Sequence, residues 1–404
     1  MKTVYCMVRA QVALFAVLAA VSAPAEPSHI YLTYSGAPER SIDINVILPD
    51  RVESADVYYD TVSRGGNTGA YKYRAKAEYH KAVMQISDRR TLYVAALKNL
   101  EPGKTYYFVA GEQKYGMSKE RRFRTLAGGD EPFRFVSGGD MGADGLVIPL
   151  LKLAGKQDPD FGVIGGDLAY VNGLLGDFAT WDKWLKNWDE LMVTSDGRMV
   201  PIMTAIGNHE TNQYQSDNLE LRAPWYIGLF GRQGDNLFYS RQFGNLAAFF
   251  VLDSGHLVPH NGAQTEWLKA QLEKHKDVKY KFAVYHVPLY PAHRPFDGAG
   301  SALGRTHWGP LFDQYGLTVA FENHDHVFKR SKPLKGNQVA EGGTVYVGDG
   351  CFGRGPRTID PQPRWYNEKE KSAAHFWVVN VSKSGLEFKA IDDKGATIDQ
   401  FSLN

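Results

Sequence analysis

Cysteine is almost absent from this sequence: the 404 residues include only two, Cys6 and Cys351. Cys6 lies in an N-terminal segment that we expect to be removed, which would leave Cys351 alone. No intramolecular disulfide could then form. In an exported protein a lone thiol is more often buried and inert than reactive.

An excess of charge of either sign is also missing. The chain has 46 Lys and Arg against 45 Asp and Glu, a formal net charge of +1, and neither end carries a charged tail. Because proteins that bind nucleic acid usually carry a basic excess, we expect no nucleic-acid scaffold as a partner. The hydrophobic content of 43% and charged content of 23% are those of a soluble globular protein. The length suggests two or three domains.

Long hydrophobic runs are missing too, apart from one at residues 12–21. This run is short for a membrane span, which needs about 20 residues. Lys2 and Arg9 precede it, and Ala23-Pro24-Ala25 offers an A-x-A cleavage site. The pattern predicts a signal peptide at residues 1–25; the alternative is an uncleaved membrane anchor. We therefore expect a secreted or periplasmic protein with no membrane span after cleavage.

Residues 26–128 have an all-β pattern. Short β-branched or aromatic runs, such as 42–47 and 91–94, are separated by turn signals such as Arg64-Gly65-Gly66-Asn67. Residues 100–108 resemble the corner before a late strand in fibronectin type III domains. A hundred or so residues of short strands suit a two-sheet sandwich. It contains no catalytic constellation, so we expect a scaffold or docking surface.

Residues 129–404 show apolar strands alternating with helical segments, which is typical of an α/β domain. A predicted helix at 178–192 carries a stripe of tryptophans that we expect to pack in the core. A second helix is predicted at 263–274. Residues 353–372 are rich in Arg, Pro, Lys and Glu; we expect an exposed loop with solvated charges. Arg354 and Arg357 either reach a phosphate or, as we expect from the charged loop, are solvated too.

Five short motifs place oxygen or imidazole groups directly after apolar, strand-like runs. They are Gly139-Asp140, Gly166-Asp167-Leu168-Ala169-Tyr170, Gly207-Asn208-His209-Glu210, Val284-Tyr285-His286 and Asn323-His324-Asp325-His326. In α/β sheets, sites form at the carboxyl ends of strands. Asp, Tyr, Asn and His suit Fe, Zn or Mn ions. Asp167 has two oxygens and can bridge two cations, and a strongly acidic metal could deprotonate Tyr170. His324 and His326 either face one side of a strand or diverge, from a loop, to two metals.

With these motifs in this order, the chain resembles the calcineurin-like metallophosphoesterases, and within them the purple acid phosphatases. The N-terminal sandwich also matches their two-domain plant-type arrangement. The resemblance implies an α/β sandwich with two central mixed sheets. It implies one iron(III) held by Asp140, Asp167, Tyr170 and His326. It implies a second, divalent metal (Fe, Zn or Mn) held by Asp167, Asn208, His286 and His324.

This sequence departs from the family pattern at three places, none of which removes a ligand. Asn323 stands where the last motif usually begins with Gly, and Ala283 stands where the fourth usually has Val. The family's outer histidine pair is reduced to His293, at a shorter spacing.

The resemblance implies hydrolysis of phosphate monoesters by attack of a metal-bound hydroxide. His209 and His293 are the expected catalytic residues, and with Asn208 they are the expected substrate-binding residues. Glu210 either orients His209 or caps a helix, and His256 either lines the cleft or is structural. The alternative within the fold is a phosphodiesterase acting on nucleotides or phospholipid headgroups. From another class, a surface-binding module with a degenerate site remains open. The expected partner is a small phosphate ester, and the sequence does not predict an oligomeric state.

Overall fold

The computed structural model describes residues 26–49, 51–80, 90–113, 115–212, 214, 216–233, 237–359 and 361–404. The predicted signal peptide lies outside these ranges. Within them, no helix has both the length and the apolar character that crossing a membrane requires.

The N-terminal part is all-β, as predicted. Its strands are β1 (His29–Thr33), β2 (Ile42–Leu48), β3 (Ala55–Asp60), β4 (Tyr73–His80), β5 (Thr91–Leu97), β6 (Thr105–Glu112), β7 (Gly116–Met117) and β8 (Arg121–Arg124). They pair in the order β1-β2-β5-β4-β3-β6-β7, with β8 also on β6. The first half of β4 pairs with β3 and its last residues pair with β5. This one strand therefore joins the two halves of the expected sandwich into a continuous ladder. Residues 68–70 form a 3₁₀ turn directly after the predicted turn at residues 64–67.

The C-terminal part is an α/β sandwich. Its helices are α1 (Val147–Gly155), α2 (Phe178–Leu191), α3 (Leu219–Arg222), α4 (Pro224–Phe230), α5 (Ala263–Lys274), α6 (Ala299–His307) and α7 (Gly309–Tyr315). Its first strands are β9 (Phe133–Gly138), β10 (Phe161–Ile164), β11 (Ile202–Thr204), β12 (Tyr239–Phe243), β13 (Ala247–Val251), β14 (Tyr280–Val284) and β15 (Val319–Phe321). The remaining strands are β16 (Phe328–Ser331), β17 (Leu334–Lys335), β18 (Gln338–Val339), β19 (Val345–Gly348), β20 (Asn367–Lys371), β21 (His375–Ser382), β22 (Gly385–Asp392) and β23 (Thr397–Leu403).

Two mixed sheets form the centre of this domain, as the resemblance implied. One has the order β11-β10-β9-β21-β22-β23, and the other has the order β12-β13-β14-β15-β19-β16-β20. Aromatic rings fill the space between them: the ring of Phe135 lies 5.1 Å from that of Phe249 and 5.7 Å from that of Phe282. Strands β9, β10 and β11 are parallel, as are β13, β14, β15 and β19. The loops that follow these strands carry the five motifs.

The tryptophan stripe of α2 is buried, as predicted. Trp181, Trp184 and Trp188 are each 1–2% exposed and belong to one core cluster. Gly162 on β10 makes room for them, because a Cβ there would lie 2.7 Å from the ring of Trp188. The expectation of a loop throughout 353–372 is wrong at its end, where β20 pairs with β16 at the sheet edge. The polar composition of β20 follows from that edge position, which leaves most of its side chains at least partly exposed.

The N-terminal domain contacts α2 and α4 of the C-terminal part. Tyr31 donates a hydrogen bond to the carbonyl of Leu229 (2.7 Å), and Arg121 pairs with Asp189. His29 Nε2 lies 2.5 Å from Asp182 Oδ1. The N-terminal domain thus packs on these helices and also on strands of the C-terminal part: β1 contacts β11, and Arg241 on β12 donates to the carbonyl of Tyr34 (3.1 Å).

Candidate metal centre

Three of the predicted ligands meet around one oxygen. Tyr170 Oη and His326 Nε2 each lie 2.8 Å from Asp140 Oδ1, and they lie 3.0 Å from each other. Atoms that bind one ion at about 2.1 Å lie about 3 Å apart when they are adjacent ligands. This first group therefore has the spacing of one metal's donor set. Asp140 follows β9, Tyr170 follows β10 and His326 follows β15.

The other predicted ligands meet around His286. Its Nε2 lies 3.2 Å from Asp167 Oδ2, 3.1 Å from Asn208 Oδ1 and 3.0 Å from His324 Nδ1. Asp167, His286 and His324 also satisfy the spacing of a metal-binding cluster. His286 Nδ1 lies 2.9 Å from the carbonyl of Gly165, a contact that orients the ring and directs Nε2 toward the group. This second group is the donor set expected for the second metal.

The two groups are tied together by backbone hydrogen bonds. The amide of Asp140 donates to the carbonyl of Gly166 (3.0 Å), and the amide of His324 donates to Asp140 Oδ2 (2.8 Å). The amide of Met141 donates to the carbonyl of Asp167 (2.9 Å). All seven predicted ligands are thus brought to one edge of the two sheets.

The ligand loops are held in an uncommon backbone conformation. A positive φ is uncommon outside glycine, and it persists where the surrounding structure enforces it, often at active sites. Values of 54–79° occur at Asp140, Asp167, Tyr170, His324 and His326. Gly350 lies against them, because a Cβ there would be 1.9 Å from Asp140 Oδ2.

The charges at the site favour a bound cation. Asp140 and Asp167 are at most 1% exposed, and buried carboxylates need a compensating charge. Although burial opposes the imidazolium, the two carboxylates raise the pKa of His286 to about 10. Burial and the same carboxylates raise the pKa of Tyr170 well above its ordinary value. Only a strong cation would make this phenol a phenolate. Hard oxygen donors and imidazoles, buried and converging, fit the metals that the resemblance implied.

The comparisons agree with this geometry. The model of the purple acid phosphatase N-terminal domain matches residues 27–125, and the model of the calcineurin-like phosphoesterases matches residues 139–328. The chain belongs to the purple acid phosphatases. The recognition made from the five motifs is thereby confirmed.

Similar proteins come from distant organisms. Acid phosphatase type 7 of Homo sapiens is 26% identical, with 93% of this chain and 90% of that protein covered. Purple acid phosphatase 18 of Arabidopsis thaliana is 23% identical, with 86% and 77% covered. An uncharacterized protein of Mycobacterium tuberculosis is 29% identical over 60% of this chain. The chain spans about half (51%) of that mycobacterial protein's length.

Solved structures share the fold. The purple acid phosphatase PPD1 from yellow lupin (Lupinus luteus) seeds has a TM-score of 0.76 at 18% identity, covering 94% of this chain and 75% of that one. A structure of PhoD has a TM-score of 0.67 at 10% identity, covering 94% and 93%.

The structure explains why Asn323 can stand where the family usually has Gly. Its buried side chain fills the space beside two glycines: a Cβ on Gly165 would lie 1.8 Å from Asn323 Nδ2, and one on Gly139 would lie 2.4 Å from Oδ1. Asn323 Nδ2 also donates to the carbonyl of Tyr285 (2.9 Å). The larger residue therefore supports the loops without entering either ligand group. Ala283 is simply buried in β14.

His209 lies beside both ligand groups. Its ring stacks on Tyr170 with 4.1 Å between centroids, and its Nε2 lies 3.8 Å from Asp167 Oδ2. Asn172, which the sequence reading did not single out, holds the ring through Oδ1, 2.5 Å from His209 Nδ1. The His209 side chain stays 32% exposed. Burial lowers its pKa despite the opposing field of Asp167.

Glu210 has a role that the sequence left open. The carboxylate accepts the backbone N–H of Asp167 (2.7 Å), Leu168 (2.7 Å) and Gly207 (2.8 Å). It is 1% exposed. Burial and the nearby Asp167 carboxylate raise the pKa of Glu210 to about 8, against the effect of the donors. Glu210 therefore caps its own 3₁₀ turn and fixes the Asp167 loop, and does not orient the ring of His209.

His293 lies beside the loop of the fifth motif, where its amide donates to Asp325 Oδ2 (2.8 Å), and His256 lies beside the second ligand group. The ring of His293 is held by the carbonyl of Thr358, 2.8 Å from Nδ1. In the described part of the chain, no hydrogen bond joins that ring to the ligand groups, so its catalytic role stays a prediction. The ring of His256 lies 5.4 Å from that of His286, and burial lowers the pKa of His256 to about 3. A neutral His256 therefore borders the second group.

A cleft of about 820 Å³ opens beside Asn208. Its walls are neutral side chains: Asn172, Leu174, Thr211, Asn212 and Tyr214, together with Asn208 itself. Because Asn208 is in the second ligand group, the cleft leads from solvent to the proposed metals.

Proposed function

We propose that this chain is an exported, metal-dependent phosphatase that hydrolyses phosphate monoesters at a dinuclear centre. One observation carries the proposal: two groups of buried donor atoms, each with the mutual spacing of ligands on one ion, converge at one edge of the two sheets. Family membership supports the reaction class.

The proposed ligand assignment follows the two groups. Asp140, Tyr170 and His326 would hold iron(III), and Asn208, His286 and His324 would hold a divalent Fe, Zn or Mn ion. Asp167, already within 3.2 Å of His286 Nε2, would bridge the two. Bound there, the metals would supply Lewis acidity and lower the pKa of water.

The protein's own residues would handle the substrate. Asn172 and Tyr170 fix the ring of His209 at the open side of the ligands, where its Nε2 can reach a phosphate oxygen or the departing oxygen. Protonated His209 would serve as general acid. Because its pKa is lowered, the protonated form is favoured in acid, which suits an acid phosphatase. The neutral cleft would accept the leaving group, and His293 would bind substrate.

Export and domain division complete the proposal. Residues 1–25 would be cleaved, residues 26–128 would serve as a non-catalytic β-domain, and residues 129–404 would carry the chemistry. The absence of described ligand clusters outside the site is consistent with that division.

The deciding experiment combines metal analysis with paired substrates on the purified mature protein. We expect two metals per chain, one of them iron, and faster turnover of p-nitrophenyl phosphate than of ethyl p-nitrophenyl phosphate, which has the same leaving group. Faster turnover of the diester would establish the phosphodiesterase alternative. A protein that binds no metal and hydrolyses neither ester would be the binding module.

Asp167→Asn tests the bridge. It removes the charge between two cations while keeping the side chain's size, so both metals should be weakened or lost. Asp182→Asn, in the contact between α2 and the N-terminal domain, is the matched control and should retain both metals. Two tightly bound metals in Asp167→Asn would contradict the bridging role.

A further inference from the structure

Arg354 is built into the rim of the metal centre, although its sequence context suggested a solvated charge. Its amide donates to the carbonyl of Asp140 (2.9 Å). Its stem runs across Gly142, where a Cβ would lie 3.4 Å from Arg354 Cδ. The guanidinium carbon then lies 4.2 Å from the centroid of the Tyr170 ring.

The Tyr170 ring is enclosed from both sides. His209 stacks at 4.1 Å with 29° between the ring planes. A guanidinium carbon at 4.2 Å from the same centroid is too close to lie in the plane of the ring, and His209 already covers one face. Arg354 therefore covers the other face. His209 and Arg354 thus both contact the ring of Tyr170, whose phenol oxygen belongs to the first ligand group.

The Arg354 guanidinium has no carboxylate partner among the described residues, whereas a neighbouring arginine does. Arg294 Nη1 lies 2.7 Å from Asp325 Oδ1. Arg357, three residues after Arg354, donates to the carbonyl of His324 (3.3 Å). The Arg354 guanidinium is therefore positioned by the Tyr170 ring and can bind an anionic ligand.

Two sides of the site differ in charge. The cleft beside Asn208 is lined by neutral side chains, whereas Arg354 lies on the ring of Tyr170 and Arg357 donates to the carbonyl of His324. A phosphate ester would therefore place its charged terminal oxygens toward Arg354 and its leaving group toward the cleft.

We propose that Arg354 binds a terminal oxygen of the substrate phosphate and so selects monoesters over diesters. The proposal rests on the proposed function. A monoester has three terminal oxygens and up to two negative charges, while a diester has two such oxygens and one charge. If the metals engaged two of these oxygens, only a monoester would have a third for the guanidinium. Arginine's planar fork is well matched to phosphate oxygens.

The test compares Arg354→Ala and Arg354→Lys with the wild type on p-nitrophenyl phosphate and ethyl p-nitrophenyl phosphate. The kcat/KM for the monoester should fall about 10- to 100-fold in Arg354→Ala, the range for a charge-assisted hydrogen bond. The diester value should fall less than about threefold, as for a screened surface charge. Arg354→Lys should recover part of the loss because it keeps the charge but not the fork.

The matched control is Arg51→Ala, whose guanidinium carbon likewise lies over a tyrosine ring, 4.6 Å from the centroid of Tyr79, in the N-terminal domain. It should leave both activities unchanged. Metal content should be normal in all variants, since Arg354 is not in either ligand group.

A direct measurement of phosphate binding tests the role of Arg354 separately from the proposed phosphatase activity. Calorimetry of the metal-loaded protein with inorganic phosphate should show about 10- to 100-fold weaker binding in Arg354→Ala. Equal losses on both esters with unchanged phosphate affinity would overturn the role of Arg354 and leave the phosphatase proposal standing. If the wild type hydrolyses neither ester, the phosphatase proposal fails, while phosphate affinity still decides whether Arg354 binds the anion.

Discussion

Replacing Glu210 by alanine should destabilise the catalytic domain by several kcal/mol. The Glu210 carboxylate is buried and accepts the N–H groups of Asp167, Leu168 and Gly207. These donors belong to two different loops, one after β10 and one after β11. A single side chain therefore keeps the two ligand-bearing loops in register.

The magnitude follows from the donors left behind. A buried donor that loses its partner costs about 1–3 kcal/mol, so three give about 3–9 kcal/mol. Water entering the space would satisfy some of them, and we expect about 3–6 kcal/mol for Glu210→Ala. Glu210→Gln keeps one carbonyl oxygen, which can still serve Asp167 and Gly207 while its amide group faces Leu168 N–H. That variant should lose about 1–3 kcal/mol, the cost of one unpaired donor.

Tryptophan fluorescence during urea unfolding gives the measurement. All eight tryptophans lie between Trp181 and Trp377, so the signal comes from residues of the C-terminal domain, including those of α2 that border the N-terminal domain. The midpoint should fall in the order wild type, Glu210→Gln, Glu210→Ala with an unchanged slope. Metal affinity should fall in the same order, because Asp167 loses its support. Equal midpoints for wild type and Glu210→Ala would show that the three hydrogen bonds do not hold the loops.

Three further outcomes are expected. Tyr170→Phe should remove the visible absorption band of the iron-loaded protein while the iron stays bound; an unchanged band would exclude Tyr170 as a ligand. His209→Ala should retain both metals and lose about 10²–10⁴-fold in rate, whereas loss of metal would make His209 a ligand. Burial lowers the pKa of His260, packed against Trp308, to about 4, so unfolding takes up a proton between about pH 4 and 6.5 and stability falls as the pH is lowered through that range. When the free energy of unfolding is measured against pH, His260→Phe should remove up to about 3 kcal/mol of this loss. An unchanged slope in the variant would show that His260 does not cause the loss.

Much of the fold could be predicted because local pattern and final structure agree. The helix of the tryptophan stripe is confirmed to within one residue, and a strand precedes each motif as predicted. The ligand residues could be named because each stands directly after a buried strand, and parallel strands bring their carboxyl ends to one edge. Family resemblance supplied the partition into two groups.

The remaining features depend on contacts across the chain. The sequence could suggest that Glu210 caps a nearby turn. Its support of the Asp167 loop could not be predicted, because it depends on the amide of Asp167, 43 positions away. Asn172 becomes recognisable only when the ring of His209 lies against it. Arg354 belongs to a stretch whose composition is that of a solvated loop, and only its backbone bond to Asp140 reveals where it goes. Periodicity and composition carry no information about such pairings.

The long sequence separation within the first ligand group has a consequence for biosynthesis. Asp140 and His326 are 186 positions apart, yet their side chains touch. At about 5–20 residues per second, a ribosome needs about 10–40 s to make the intervening chain. Until then, the Asp140 and Tyr170 loops lack the imidazole of His326, so the first ligand group is incomplete. On the proposed ligand assignment, metal uptake into a complete site would follow the closing of both sheets, and a loaded centre would mark a C-terminal domain that has been synthesised and folded through His326.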